Sequence, residues 1–208
     1  MPFRKTRKTN RRRRTLAKRI SRLERTSRPE VKFAQEESNA FETIGSVQGT
    51  LLQPQQLAEG VGRNQRIGDK CKSRNIRFQA IMKMGDAPSN ATCAIRILAL
   101  RAKYSDPATG TVSTGDFPNF YTSVDEDKFF VLKDILTQVS IQAVDPNVAL
   151  TGSTLKKVKF NLPCGLRKLQ YDGSSLQSPS NNEIVLFIVA ENQDAQVAWN
   201  YQHYYLDN

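Results

Sequence analysis

Asn75-Ile76-Arg77-Phe78-Gln79-Ala80-Ile81-Met82-Lys83-Met84 is the stretch from which the fold is read. Ile76, Phe78, Ala80, Met82 and Met84 fall on one side of a two-residue repeat, and Asn75, Arg77, Gln79, Ile81 and Lys83 on the other. Successive side chains of a strand point to opposite faces, so this period predicts a β-strand with one face buried. Val158, Phe160 and Leu162 alternate with Lys157, Lys159 and Asn161 in the same way. Residues 91–100, 129–136 and 184–190 are more continuously apolar, as expected of strands covered on both sides. Further strand candidates lie near 44–52, 169–172 and 197–206. Turn chemistry separates them at Gly85-Asp86-Ala87-Pro88, Asp106-Pro107, Asp145-Pro146-Asn147, Asp172-Gly173 and Ser178-Pro179. About eight strands with no long helical pattern predict an all-β body, an antiparallel sandwich or jelly roll.

Charge is distributed very unevenly along the chain. Residues 1–28 hold 13 Lys/Arg against the single acid Glu24, a net of +12, whereas the whole chain carries only +11. The remaining residues therefore sum to −1. Each cation set against a phosphate releases a condensed counterion, so a cationic arm on a near-neutral body points to a polyanionic partner, a nucleic acid. Arginine dominates the arm, with Arg11, Arg12, Arg13 and Arg14 consecutive. Its guanidinium stays charged and contacts phosphate oxygens bidentately, contacts that carry no base sequence. A nuclear address needs about five to eight basic residues. The arm exceeds that, although nuclear entry remains compatible with it.

The arm divides in two. Residues 1–14, with Arg4, Lys5, Arg7, Lys8 and Arg11 to Arg14, lack apolar content after Phe3 and are expected to be disordered when free. From about 15 to 26, Leu16, Ile20 and Leu23 recur at helical spacing, with Lys18, Arg19, Arg22 and Arg25 around the turn. This predicts a short basic amphipathic helix. Such a helix is marginal alone, so its apolar stripe needs a partner, such as the same helix of a neighbouring copy. A calmodulin-target or membrane-surface helix has a similar pattern. Arg28-Pro29 ends it, giving an arm over 1–28 and one domain over 29–208.

Other chemistry is poorly supported. No apolar run approaches the roughly 20 residues of a membrane span, and no apolar segment of a signal peptide follows the basic start. Cys71, Cys93 and Cys164 are widely spaced and His203 is the lone histidine, so three reduced thiols are expected and no zinc site. The glycine-rich stretch 60–70 lacks the Gly-Lys-Ser/Thr ending of a phosphate loop and opens no helix. Asp125-Glu126-Asp127 reads as a solvated loop rather than a metal cluster. The aromatics Phe117, Phe120 and Tyr121 of the 104–127 loop read as packing or a subunit contact rather than base stacking. Lys156, Lys157, Lys159, Arg167 and Lys168 form a second basic cluster, either a nucleic-acid-facing surface or a solvated strand face. An enzyme is not expected and no cofactor is called for.

The order of features resembles a known family. The carriers are Asn64-Gln65-Arg66 followed by Gly68-Asp69, the segment 74–80, Phe130-Val131-Leu132-Lys133-Asp134, Asn161-Leu162-Pro163 and the tail Tyr205-Leu206-Asp207. Their order and spacing, behind a basic arm and helix, make the chain similar to single jelly-roll capsid proteins. These are typified by the satellite tobacco necrosis virus coat protein, with similar capsids in some small circular single-stranded DNA viruses. The resemblance covers nearly the whole chain from about Arg11. It implies an eight-stranded antiparallel jelly roll with a partly helical arm, and sixty copies closing a T=1 icosahedral shell. The arm helices would point inward and cluster, which supplies the partner for Leu16, Ile20 and Leu23. Sixty arms at +12 each carry about 720 charges, enough for on the order of 700 nucleotides, or about 1–2 kilobases with overcharging.

The expected partners are therefore further copies of the chain and a single-stranded genome, DNA or RNA, with no membrane. The expected location is the virion, assembled from protein made inside the host cell. The resemblance also implies structural calcium at subunit contacts. Asp207, Glu24 and the main-chain oxygens of Ile67 and Lys70 stand at ligand positions, while Val61 and Gly62 stand where the family has paired acids. Two rivals remain: a cellular nucleic-acid-binding protein with a basic tail that forms no closed shell, and an enzyme with an Arg-rich targeting segment.

Overall fold

The computed structural model describes residues 30–46, 49–62, 64–86, 88–103, 119–142 and 152–207. Among them the regular structure is all β: β1 (Val31–Glu37), β2 (Glu42–Thr43), β3 (Thr50–Leu52), β4 (Lys70–Met84), β5 (Thr92–Ala102), β6 (Phe129–Gln142), β7 (Gly152–Ser153), β8 (Lys156–Gln170), β9 (Ile184–Ala190) and β10 (Ala195–Asp207). They form two antiparallel sheets, one ordered β1-β10-β4-β8 with β2 also on β10, the other ordered β3-β9-β5-β6-β7. One apolar core lies between them. Ile76, Phe78, Ala80, Met82 and Met84 of β4 meet Cys93, Ile95, Ile97 and Ala99 of β5 and Ile184, Leu186, Ile188 and Ala190 of β9 there. The period-two face read from residues 75–84 is thus the inner face of the first sheet.

Three expectations need correction. Residues 129–136 are not covered on both sides: Phe129 is buried, but Phe130, Val131 and Leu136 are exposed, because β6 has only the two-residue β7 beyond it. The candidate near 44–52 is mostly irregular, with strand only at Thr50–Leu52. The segment around 157–162 and the first two residues of 169–172 belong to one strand, β8, joined through a bulge, while Tyr171 and Asp172 lie beyond its end. Its register against β4 jumps from Pro163 opposite Asn75 to Arg167 opposite Ser73. Gly165 (φ 64°) and Leu166 (φ 55°) turn the chain there. Pro163 is tolerated because β8 is an edge strand and the proline adjoins the bulge.

The two sheets are also joined by buried polar groups. Gln55 accepts from Ile184 N at 2.7 Å and donates to Ser73 Oγ at 3.1 Å, which lies 2.8 Å from His203 Nε2. The Tyr171 hydroxyl donates to the Gln55 carbonyl at 2.9 Å. Burial drives the His203 imidazole down to about 3, so it is neutral. Cys71, Cys93 and Cys164 are all free and buried, and burial pushes the Cys71 thiol up to about 11.

Candidate nucleic-acid interface

The outward faces of the two sheets differ in kind. On the β3-β9-β5-β6 sheet, Leu98, Leu100, Ala102, Val185, Phe187 and Val189 are buried outward as well, under Val124 and Phe129, with Leu51 and Phe120 packed against them. Arg96 fastens this cover. It pairs with Asp134 through Nε at 3.1 Å and Nη2 at 2.7 Å, and donates through Nη1 to the carbonyls of Phe120 (3.3 Å) and Thr122 (2.8 Å). That pairing raises the pKa of Arg96 further. Phe120 therefore serves packing, as expected. Tyr121 is exposed, its hydroxyl donating to Glu191 at 2.8 Å.

The outward face of the β1-β10-β4-β8 sheet is polar and basic. Residues directly opposite in an antiparallel pair project to the same face. The register therefore lines up Gln35, Gln202, Arg77 and Asn161 in one row, and Glu37, Asn200, Gln79 and Lys159 in the next. Ala198, Ile81 and Lys157 follow. On the other side of the Arg77 row, Phe33, Tyr204, Asn75 and Pro163 are aligned. The Arg77 guanidinium sits 4.9 Å from the Tyr204 ring centre and donates to the Tyr204 hydroxyl at 3.2 Å. That hydroxyl donates on to Gln202 Oε1 at 2.9 Å, and the Phe33 ring lies 6.0 Å away. Lys83 is drawn to Asp86 at 3.2 Å. Lys157 and Lys159 are exposed and make no ion pair among the described residues. The surface offers cations for phosphates, amide groups for sugar and base edges, and one ring held against a guanidinium.

The basic cluster of β8 is thus divided by the bulge. Lys157 and Lys159 join the face carrying Arg77 and Lys83, and Lys156 lies at the start of the strand. Arg167 and Lys168 lie beyond the bulge, where burial and the Arg167 charge together lower the pKa of Arg101. Arg77 and Lys83 were not singled out from sequence. Their signal is the polar set of the 75–84 alternation, but its juxtaposition with Lys157 and Lys159 is a matter of register. The arm residues Arg4, Lys5, Arg7, Lys8, Arg11, Arg12, Arg13, Arg14, Lys18, Arg19, Arg22 and Arg25 lie outside the described residues. So do Leu16, Ile20, Leu23 and the helix expected over 15–26.

Two other sequence features resolve into structural roles. Arg66, in the glycine-rich stretch, is fully buried. Its guanidinium donates to the carbonyls of Gly68 and Gly173 and lies 4.5 Å from the Tyr171 ring centre. It therefore staples the β3–β4 and β8–β9 loops together and is not offered to phosphate. Asp125 accepts from Asp127 N at 2.9 Å, capping its own turn.

Of the donors implied for calcium, Asp207 and Ile67 do not fit that ion. Asp207 Oδ2 lies 2.7 Å from Lys32 Nζ, and Oδ1 accepts from Ile67 N at 3.3 Å. The lone carboxylate is thus matched by an ammonium, and Ile67 turns its N–H, not its carbonyl, towards it. Lys32 Nζ also donates to the Gln65 carbonyl at 3.1 Å. A site for an ion that takes six to eight oxygens cannot be assembled around a carboxylate already engaged in this way. Glu24 lies outside the described residues.

No protein-family model matches the chain, and no curated protein matches it.

Proposed function

We propose that the body is a jelly roll and that the chain is a viral coat protein. In this reading it self-assembles into a closed shell, T=1 with sixty copies, around single-stranded nucleic acid gathered by its arm. The observation that carries the fold reading is the nesting of strand pairs. With the short β2 and β7 set aside, the first strand pairs with the last (β1–β10) and the second with the seventh (β3–β9). The third pairs with the sixth (β4–β8) and the fourth with the fifth (β5–β6). This is the order produced by rolling one long four-pair hairpin into two facing sheets. The function reading adds the +12 arm on a body of net −1. It also draws on the sheet face with Arg77 and Lys157, which belongs to the sheet containing β1, the strand that follows the arm in sequence. Binding of this kind acts through phosphates and does not distinguish base sequence. The protein is not an enzyme in this reading, and its place is the virion.

Electron microscopy of the full chain beside a version lacking residues 1–28, with nuclease-protected nucleic acid quantified in each, tests the proposal. Closed particles that protect nucleic acid only when the arm is present are the expected result. A monodisperse monomer that binds nucleic acid across a range of concentration and salt would instead identify a cellular binding protein with a basic tail. Replacing Leu16, Ile20 and Leu23 together with serine is expected to cut particle yield while leaving the body folded. Unchanged yield would remove the arm helix from the assembly mechanism.

A further inference from the structure

The coat-protein reading requires contacts between copies, and the following inference rests on that reading by naming two surfaces that meet. Among the described residues, the β1-β10-β4-β8 sheet has two unpaired edges, and they are opposite in charge. Along the β1–β2 edge, Glu30, Glu36, Glu37 and Glu42 are all exposed. The cation of that edge, Lys32, is buried and turned to Asp207. Along the β8 edge, Lys156, Lys157, Lys159, Arg167 and Lys168 are exposed, and β8 contains no acid. None of these nine side chains takes part in an ion pair among the described residues.

The register sharpens this into a matched pattern. Glu37 is opposite Asn200, Asn200 opposite Gln79, and Gln79 opposite Lys159. Glu42 is opposite Val197, Val197 opposite Met82, and Met82 opposite Lys156. Two rows across the sheet thus begin in a glutamate at one edge and end in a lysine at the other. Because opposite residues share a face, Glu37 and Lys159 belong to one face of the sheet and Glu42 and Lys156 to the other. Four strands about 4.8 Å apart separate the ends of a row by about 15 Å, too far to pair within one copy. A second copy displaced sideways along the rows brings them together in register.

We infer that the acidic β1–β2 edge of one copy docks against the basic β8 edge of the next, with Glu37 facing Lys159 and Glu42 facing Lys156. Like edges repel: two β1 edges would set acid against acid, and two β8 edges cation against cation. The same charges keep either unpaired strand edge from pairing with its own kind. The contact is heterologous, so repetition gives rings and shells when the rotation between copies closes. It relies on exposed charge and weakens with salt.

A charge swap in the full-length protein tests this. Three variants are needed: Glu37→Lys with Glu42→Lys, Lys156→Glu with Lys159→Glu, and all four together. All four residues are exposed, so the fold should persist, which the fluorescence of the sole tryptophan, Trp199, checks. Particle yield is read by sedimentation and electron microscopy. Contacts are read by zero-length carbodiimide cross-linking in mixtures of light and isotope-labelled copies, which joins glutamate to lysine only when they touch. Each paired reversal is expected to reduce yield about tenfold or more, and the four-fold variant to recover most of it. Wild-type cross-links should join Glu37 to Lys159 between copies. If wild-type particles form but the four-fold variant is as poor as either pair, the inference falls and the coat reading stands. If the lysine reversal lowers only protected nucleic acid and the glutamate reversal does nothing, the β8 lysines serve the genome and the inference also falls. If the wild type forms no particle, the coat reading fails, while the cross-links between copies still decide the edge contact.

Discussion

Replacing Gln55 with alanine is expected to lower the unfolding free energy by about 3 kcal/mol. The side chain is buried and satisfies groups on both sheets at once. Its oxygen takes the Ile184 N–H at the start of β9, and its nitrogen serves Ser73 of β4, which in turn meets His203 of β10. Truncation leaves a buried backbone donor without its acceptor and a hydroxyl without one of its donors, each at the cost of desolvation without replacement. The loop segment holding Gln55 also loses the anchor that positions its carbonyl for the Tyr171 hydroxyl. The comparison is Gln202→Ala, which removes the 2.9 Å bonds to Gln35 and from the Tyr204 hydroxyl on the solvent-facing side of the sheet, where water replaces them, and should cost about 0.5 kcal/mol. Urea unfolding of the dissociated monomer, followed by Trp199 fluorescence, measures both. Equal costs would show that the polar chain does not couple the sheets.

Much of the fold was legible because its central strands write their burial into sequence. The alternation read over 75–84 holds over those residues of β4, and 184–190 is buried on both faces as its unbroken apolar run implies. Edge strands were harder to read. β1 was not anticipated: Val31, Phe33 and Gln35 project to one side and Lys32, Ala34 and Glu36 to the other, so neither set is apolar. Its inward lysine is tolerated because Asp207, 175 positions later, and the Gln65 carbonyl receive the ammonium. β8 was read as two strands because Pro163 and Gly165 interrupt the pattern, whereas an edge position and a bulge accommodate both. In β6, apolar composition suggested two covered faces, but cover depends on neighbours that local composition does not specify.

The candidate interface divides along similar lines. Cationic composition is a property of sequence, so the arm and the β8 cluster could be named from it. Which lysine stands beside which amide, and which glutamate shares its row, depends on pairings between residues 37, 79, 159 and 200, far apart in the chain. Arg66 shows the converse hazard. In sequence it is one more cation of a glycine-rich basic stretch that lacks the ending of a phosphate loop, and burial against Tyr171 commits its guanidinium to two backbone carbonyls.

The Glu183→Gln variant is expected to be about 2.5 kcal/mol more stable than the wild type at pH 8 relative to their difference at pH 5. Glu183 is buried at the entrance to β9, and loss of hydration pushes its carboxyl up to about 7 despite hydrogen bonds from Ser178 and Gln53. Its ordinary value is 4.5, so between about pH 4.5 and 7 the folded state holds a proton that the unfolded state has released. Stability from this group is complete below that window and lost as pH rises through it. His203 acts in the opposite sense. Its folded value of about 3 lies below the ordinary 6.5, so the unfolded state binds the extra proton and stability is lost as pH falls below 6.5. From about pH 4.5 to 6.5 the two slopes oppose each other, and wild-type stability should be nearly flat from these groups. Glutamine keeps the acceptor for Gln53 and removes the titration, so the variant should expose the His203 slope, with stability rising from pH 4.5 to 6.5. Urea midpoints at half-unit pH intervals distinguish the cases. Parallel curves for variant and wild type would mean that Glu183 ionises in the folded protein as it does in water.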